Sequence, residues 1–456
     1  MKIEANTLDA YKLFHNGALA LARAERQGIR IDIPYCEKMK RRLTRRIKRY
    51  RRQLEDTKLY RLWTRVYGTK AKIESNHQLS RLLYQTLKIE PPKSTAGGEG
   101  STDDETLRQL DVPGLSTILT IRKLTKMRDT YLDAFAREQV DGYIHPSFNL
   151  NTVRTYRSSS SNPNFQNIPK RDKEAMRICR RALLPRPGHM LMEMDFSALE
   201  VNISACHHKD PVMLNYLRDK TTDMHGDMAK QLFILDQFDR KLPAHYTLRQ
   251  AAKNGFVFPQ FYGDYYGNNA MSLCEWVKLP RTEWGPGMGV ELPDGSHISD
   301  HFRAHKISSF DDLVEHVKQV EDDFWNNRFK VYNAWKAATV AKYRRRGYLR
   351  MFTGFVCSGV MRRNEIVNYP IQGSAFHCLL WTFIQLDQAM LRENWDSRLI
   401  GQIHDSILVD AHPDEAEHVI ETAEKIVASL PKHWPWIITP LEIEVDRFGV
   451  DQPWVA

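Results

Sequence analysis

The chain has 456 residues, a formal net charge of +10 and a pI near 9.1. That length exceeds one compact core and predicts roughly two to four lobes, while the basic balance points to an acidic partner, leaving nucleic acid, anionic membrane and plain solubility open. Six isolated cysteines without a C-x-x-C pair exclude a disulfide framework and a cysteine zinc site, no apolar run nears bilayer-spanning length, and MKIEANTLDAYKLF lacks a signal-peptide core, so a soluble, cytoplasmic protein is expected.

Up to about Gln139 the chain reads mainly as helices. YKLFHNGALALARAERQG carries apolar residues at helical spacing and ends at Gly28, a suitable C-terminal cap; IRID follows as a short strand. KMKRRLTRRIKRYRR, from Lys38 to Arg52, sets Met39, Leu43, Ile47 and Tyr50 on one apolar stripe with cations around it. That pattern fits equally a helix facing phosphates and a solvated surface helix. PPKSTAGGEGST interrupts the helices as a flexible tip between Pro91 and Thr102. From Gly142 the texture turns to short strands and loops, through SSSSNPNFQNIP to LMEMDF, an apolar strand ending in an acid. Residues 221–344 are again mostly helical, broken by a Gly/Pro-rich stretch from Gly263 to about Ser296. A last block alternates strands and helices around QIHDSILVD and LEIEVD.

Four segments carry chemistry. Asp195 ends the LMEMDF strand and Asp405 sits on a turn between two short strands; each alone reads as a turn or cap acid, while together they suit a pair of divalent metals. TLRQAAKNGFVFPQFYG places Arg249 and Lys253 four apart on one face, with Phe258 and Tyr262 repeating the spacing, as a nucleotide site or a basic amphipathic helix would. RTYRSSSSNPNFQNIPKR is rich in side-chain donors that could line phosphates and sugars. In NYPIQGSAFHCLL, Asn368 and Gln372 stand one turn apart at the start of an apolar helix, within reach of a base edge.

In this order the segments resemble the family A DNA polymerases, the bacterial DNA polymerase I group. Asp195-Phe-Ser-Ala-Leu-Glu200 is similar to the family's DYSQIE, Arg249 to Gly263 to its R-x3-K…YG motif, and His404-Asp405-Ser406 to its HDE; TYRSSSSNPNFQNIP is similar to TGRLSSTDPNLQNIP, and KSTAGGEGST to KKTPGGAPST near the thumb tip. The resemblance runs from about Leu19 to Asp446. It implies an α+β right-hand fold with a helical thumb, an antiparallel-sheet palm and helical fingers. The expected boundaries are 1–150 for the N-terminal segment and thumb, 151–220 and 345–456 for the palm, and 221–344 for the fingers, with an insertion near 267–310.

The resemblance implies that Asp195, Asp405 and the Phe196 carbonyl hold two magnesium ions, for which manganese can substitute. Lys253 would contact the triphosphate and protonate pyrophosphate; Arg249 and His225 would hold the outer phosphates; Phe258 would pack on the incoming nucleotide and Tyr262 near the templating base. Glu200 would lie against the sugar 2′ position and select deoxyribose, and Arg157, Asn164, Gln166, Asn167, Asn368, Gln372 and His404 would track the duplex. Primer–template DNA and dNTPs are the implied partners of a monomer, with no membrane role.

The departures are specific. One extra residue separates Lys253 from Tyr262, which makes Phe256 a rival to Phe258. Asn364 stands where an arginine is usual, with Arg363 beside it, and Ser406 replaces a glutamate, leaving no third acid expected near the metals. With its start almost at the thumb, the chain is expected to lack a 3′-5′ exonuclease, so that either a separate protein supplies proofreading or this is a separated polymerase portion; a separate exonuclease or replisome proteins are further expected partners, and the motifs look more like a phage enzyme than a bacterial repair enzyme. A single-subunit RNA polymerase is disfavoured by Glu200, and a non-catalytic DNA-binding module by retention of both aspartates and Lys253. A nuclease using the same acids would shorten primers.

Overall fold

LMEMDF is apolar on both faces, as a strand covered from both sides must be, and it forms Met190–Phe196 inside a four-stranded antiparallel sheet. The spatial order is Ile443–Arg447, Met190–Phe196, Ser406–Ala411 and Arg398–Ile403. The computed structural model describes residues 5–95, 97–170 and 172–455. Register sets Asp195 opposite Ser406 on one side and Glu444 on the other. The Phe196 N–H also donates to the Asp405 carbonyl at 3.1 Å, so the turn bearing Asp405 is stitched to the strand end bearing Asp195.

The 30-residue helix Arg363–Arg392, with Pro370 inside it, packs on this sheet beside Ala416–His433. The first helix, Thr7–Gln27, lies on the same long helix and on Arg398–Ile403. Its Gly17 sits so close to Leu380 that a Cβ would come within 2.9 Å. Arg23 adds a forked pair to the buried Asp387. Ile29–Ile31 pairs with both Tyr143–Ile144 and Leu183–Leu184, tying the helical lobe to the sheet layer. These elements share one continuous apolar core, from Ala10 to Trp454. Residues from Ala205 to Tyr332 build a second core around Phe256, Phe302, Phe324 and Phe329. One polar contact crosses between the helical lobe and this second body, where Arg281 Nη1 donates to Gln109 Oε1 at 3.2 Å.

The basic helix runs from Ile33 to Glu55, capped by Asp32 with Pro34 in its first turn. Cys36, Leu43, Ile47 and Leu54 are buried, while Met39 and Tyr50 are half-buried at the edge of the core. The glycine-rich tip is tethered: Ser94 bridges Gly100, Ser80 Oγ donates to the Gly100 carbonyl, and the Tyr84 hydroxyl donates to the Ser101 carbonyl. Ala96 of that segment lies outside the described residues.

Candidate active site

Strand pairing brings Asp195 and Asp405 to one end of the sheet. After Asp195 the chain breaks its strand through Ala198 at φ 49° and enters the helix Leu199–His208, which carries Glu200 back toward the acids. Burial, then Glu200, push the Asp405 carboxyl up to about 6; Asp195 adds to the rise and Arg157 and Lys170 oppose it. Glu200, from the adjoining helix, bears on Asp405 even though Ser406 has lost the glutamate side chain.

The donor set suits magnesium. Among the described residues no group of three or more His, Cys, Asp or Glu is arranged to hold a metal, and strand pairing leaves Asp195 and Asp405 together at this sheet end. Magnesium is held through one or two carboxylates and keeps its remaining positions for water and substrate phosphates.

Glu200 joins this cluster to the second body. Its carboxylate accepts from Arg157 Nη1 at 3.1 Å and from the Tyr262 hydroxyl at 2.6 Å. Burial, then Glu200, push the Tyr262 hydroxyl well above its ordinary range. Gly263, at φ 90°, ends the short helix Phe258–Tyr262, and a Cβ there would meet Asn364 Oδ1 at 2.5 Å. Asn364 and Asn368 donate to the carbonyls of Gly263 and Tyr262 at 3.3 and 3.4 Å.

Arg249 lies on Pro243–Ala252 and forks onto Asp223, at 2.7 Å from Nε and 2.9 Å from Nη2. Burial raises the Asp223 carboxyl, but the Arg249 hydrogen bonds outweigh it and hold it below its usual range. His225 sits beside them on Met224–Phe233; burial, then Arg249 and Lys253, push it down to about 4. The extra residue before Tyr262 appears as a π-helical turn, Lys253–Val257, between two α-helical pieces. Beyond that turn the two phenylalanines face different surroundings. Phe256 is fully buried against Phe324, whereas Phe258 lies 5.3 Å beneath the Lys253 ammonium and edge-on to His225.

Of the residues expected along nucleic acid, Asn164 and Asn167 are exposed and His404 stands exposed at φ 51° on the Asp405 turn. Gln166 instead turns inward. Its amide donates to Ser158 Oγ at 2.7 Å and Gln402 Oε1 at 2.6 Å, so it braces the polar loop against the sheet. Gly373 of the long helix approaches that loop so closely that a Cβ would reach the Thr155 carbonyl at 2.4 Å. Gln372 and Asn368 share a small cavity of about 50 Å³ with Glu200, Phe258 and Tyr262. Arg363 and Asn364 line a larger one of about 630 Å³ with Lys336, whose ammonium lies 2.9 Å from the Trp325 ring centroid. Burial, then Arg363, push Lys336 down to about 7.

Sequence reasoning missed Lys170, Glu193 and Asp223. Lys170 Nζ donates to Asp195 Oδ2 at 2.8 Å, a contact between residues 25 apart that no local pattern announces. Glu193 was legible, because strand alternation sets it on the same face as Asp195. It is buried, and accepts from Arg180 at 2.8 Å, Trp454 Nε1 at 3.0 Å and Ser406 Oγ at 2.9 Å. Asp223 precedes His225 by two residues in DMHGDMA.

The seven cations at 38, 41, 42, 45, 48, 49 and 52 of the basic helix are exposed and form no ion pair among the described residues. The cations that are paired, Lys40 with Asp133 and Glu37, Arg46 with Glu174 and Arg51 with Glu74, lie off that stripe. No helix among the described residues is long and apolar enough to cross a membrane.

The sequence profile of DNA polymerase family A matches residues 34–285 and 303–447, leaving out 286–302 within the stretch read as an insertion. DNA polymerase I of Synechocystis sp. is 28% identical over 441 residues, covering 94% of this chain and 40% of that protein. DNA polymerase I of Aquifex aeolicus is 28% identical over 387 residues, covering 83% and 58%, and the thermostable DNA polymerase I of Thermus thermophilus is 26% identical over 452, covering 96% and 47%. The chain thus spans about half the length of these relatives. Its fold is similar to the polymerase domain of Pol1 from M. smegmatis, solved in complex with DNA primer–template and dNTP, with TM-score 0.73 and 23% identity over 96% of this chain and 69% of that one. The architecture is an α+β polymerase fold, and the chain belongs to DNA polymerase family A.

Proposed function

We propose that this chain is a template-directed DNA polymerase that adds deoxynucleotides to a primer 3′-hydroxyl. The observation that carries the reading is the Tyr262–Glu200–Arg157 bridge, because it sets the paired acids of the sheet against the cations and aromatics of the helical body across one cleft. In the reaction the 3′-oxygen bonds to the α-phosphorus, the α–β phosphate bond breaks, pyrophosphate leaves, and the hydroxyl proton is lost. Two divalent ions, magnesium with manganese as substitute, supply a more acidic hydroxyl and neutralise phosphate charge when bound. Asp195, Asp405 and the Phe196 carbonyl would hold them.

Lys253, placed over Phe258, would grip the triphosphate and give its proton to the leaving pyrophosphate, with Arg249 and His225 on the outer phosphates. Phe258 would support the base and sugar, and Tyr262 would stack by the templating base. Glu200, held between Arg157 and Tyr262, would fill the space of a ribose 2′-hydroxyl. Arg157, Asn164, Asn167, Asn368, Gln372 and His404 would follow the duplex, with Gln166 acting by bracing the loop. The separate core of residues 205–332 supports assigning 221–344 as fingers, with 1–150 as N-terminal segment and thumb and 151–220 and 345–456 as palm. The unpaired stripe on the Ile33–Glu55 helix supports a phosphate-facing role.

Primer extension with magnesium and four dNTPs is the test. Wild-type protein should lengthen a matched primer, and Asp405→Ala should reduce the rate by at least roughly a thousandfold. Primer shortening, or full extension by the variant, would overturn the reading.

A further inference from the structure

Lys170 is a charged side chain that the proposed chemistry leaves unused, and it stands on one of the metal carboxylates. Its ammonium is 2.8 Å from Asp195 Oδ2 and 4.0 Å from Glu193 Oε1. The two acids it touches differ in kind. Asp195 is partly open, whereas Glu193 is buried, and its other oxygen is already committed to Arg180 and Trp454. Glu193 Oε1 is oriented by the Ser406 hydroxyl, which occupies the place where the family motif carries an acid. The ammonium therefore has a second acceptor about one side-chain swing away, on the same face of the same strand.

We propose that Lys170 is a tethered counter-ion that occupies Asp195 while no divalent ion is bound and moves to Glu193 when one arrives. It is a positioning residue, because it acts through Asp195. A lysine suits this exchange, being a compact point charge on a flexible four-carbon stem that needs no planar partner. Glu193 serves as its alternative seat and Ser406 holds that seat in place. The consequence is that a divalent ion must displace a resident cation, so the protein alone binds metal more weakly than the bare acid pair would.

The inference rests on the metal-holding role of Asp195, and its test reads metal binding directly. Manganese titrated into the protein without DNA or nucleotide, followed by the loss of the free-ion paramagnetic resonance signal, gives the dissociation constant. Lys170→Met should bind manganese roughly fivefold more tightly, the scale of one ammonium–carboxylate contact near water, and Lys170→Arg should stay near wild type. Glu193→Gln, which removes the alternative seat, should weaken manganese binding, while adding Lys170→Met to it should restore the tight value. If Glu193→Gln fails to fold, Ser406→Ala loosens the same seat and should weaken binding in the same direction. Equal constants for wild type and Lys170→Met would overturn the proposal. A wild type that binds manganese but does not extend primers would overturn the polymerase reading and leave the Lys170 exchange standing.

Discussion

The sheet end and the helical body facing it solve opposite electrostatic problems by unequal means. At the sheet end burial, then Glu200, push Asp405 up to about 6, and Asp195 is met by one flexible ammonium. In the helical body Arg249 is gripped by a forked, half-buried carboxylate, and His225 is held neutral by burial and then by its cationic neighbours. A forked arginine–carboxylate pair is stronger and more tightly oriented than a single ammonium contact at the surface. On the roles proposed above, metal entry would displace a weak partner and triphosphate entry would compete with a strong one, so the nucleotide would meet the harder exchange.

Glu200 belongs to both regions, so removing it breaks the comparison most severely. Glu200→Ala should lower discrimination between deoxy- and ribonucleotides by roughly tenfold to a hundredfold, read as the ratio of kcat/KM for a matched pair of triphosphates. Unchanged discrimination would confine Glu200 to joining Arg157 and Tyr262. Asp223→Asn softens the helical side alone. It frees Arg249 from its charged partner, and the KM for dNTP should fall about threefold to tenfold at constant kcat; a higher KM would mean that Asp223 aims Arg249 instead of restraining it.

The smallest effect concerns protons. His225 titrates near 4 in the folded chain and near 6.5 when unfolded. As pH falls from about 6.5 to 4 the unfolded chain takes the proton first, so the native state loses this contribution across that window and loses no more below it. His225→Gln should therefore lose about 2–4 °C less in melting temperature over that interval than wild type. His207, His208 and His377 are depressed by burial in the same direction in both proteins, so the difference between the curves belongs to His225. Equal slopes would show that His225 is already solvated.

Much of the sheet side was readable because strand periodicity and turn chemistry are local. LMEMDF, QIHDSILVD and LEIEVD each gave a strand, and the two aspartates fell where strand ends meet turns. The helical side was readable as motif but not as geometry. Residues Tyr266–Val277, inside the Gly/Pro-rich stretch read as a break in the helices, form a 12-residue helix, because Ala270, Leu273, Cys274 and Val277 bury at helical spacing in the second core. Gln166 looked like a DNA contact because amides on polar loops often are. Its inward turn depends on Gln402, which is 236 residues distant. Asp223 and Lys170 were missed for the same reason: a charge pair closed by tertiary structure leaves no trace in local spacing.

The π-helical turn at Lys253–Val257 has a consequence for how this helix can vary. In an α-helix one added residue rotates everything beyond it by about 100°, which would swing Phe258 and Tyr262 away from Lys253 and Glu200. Here the wider turn takes up the extra residue, and both aromatics keep their phase with the site. Length and phase are uncoupled over these five residues, so the segment between Lys253 and Tyr262 can gain a residue without changing what either faces.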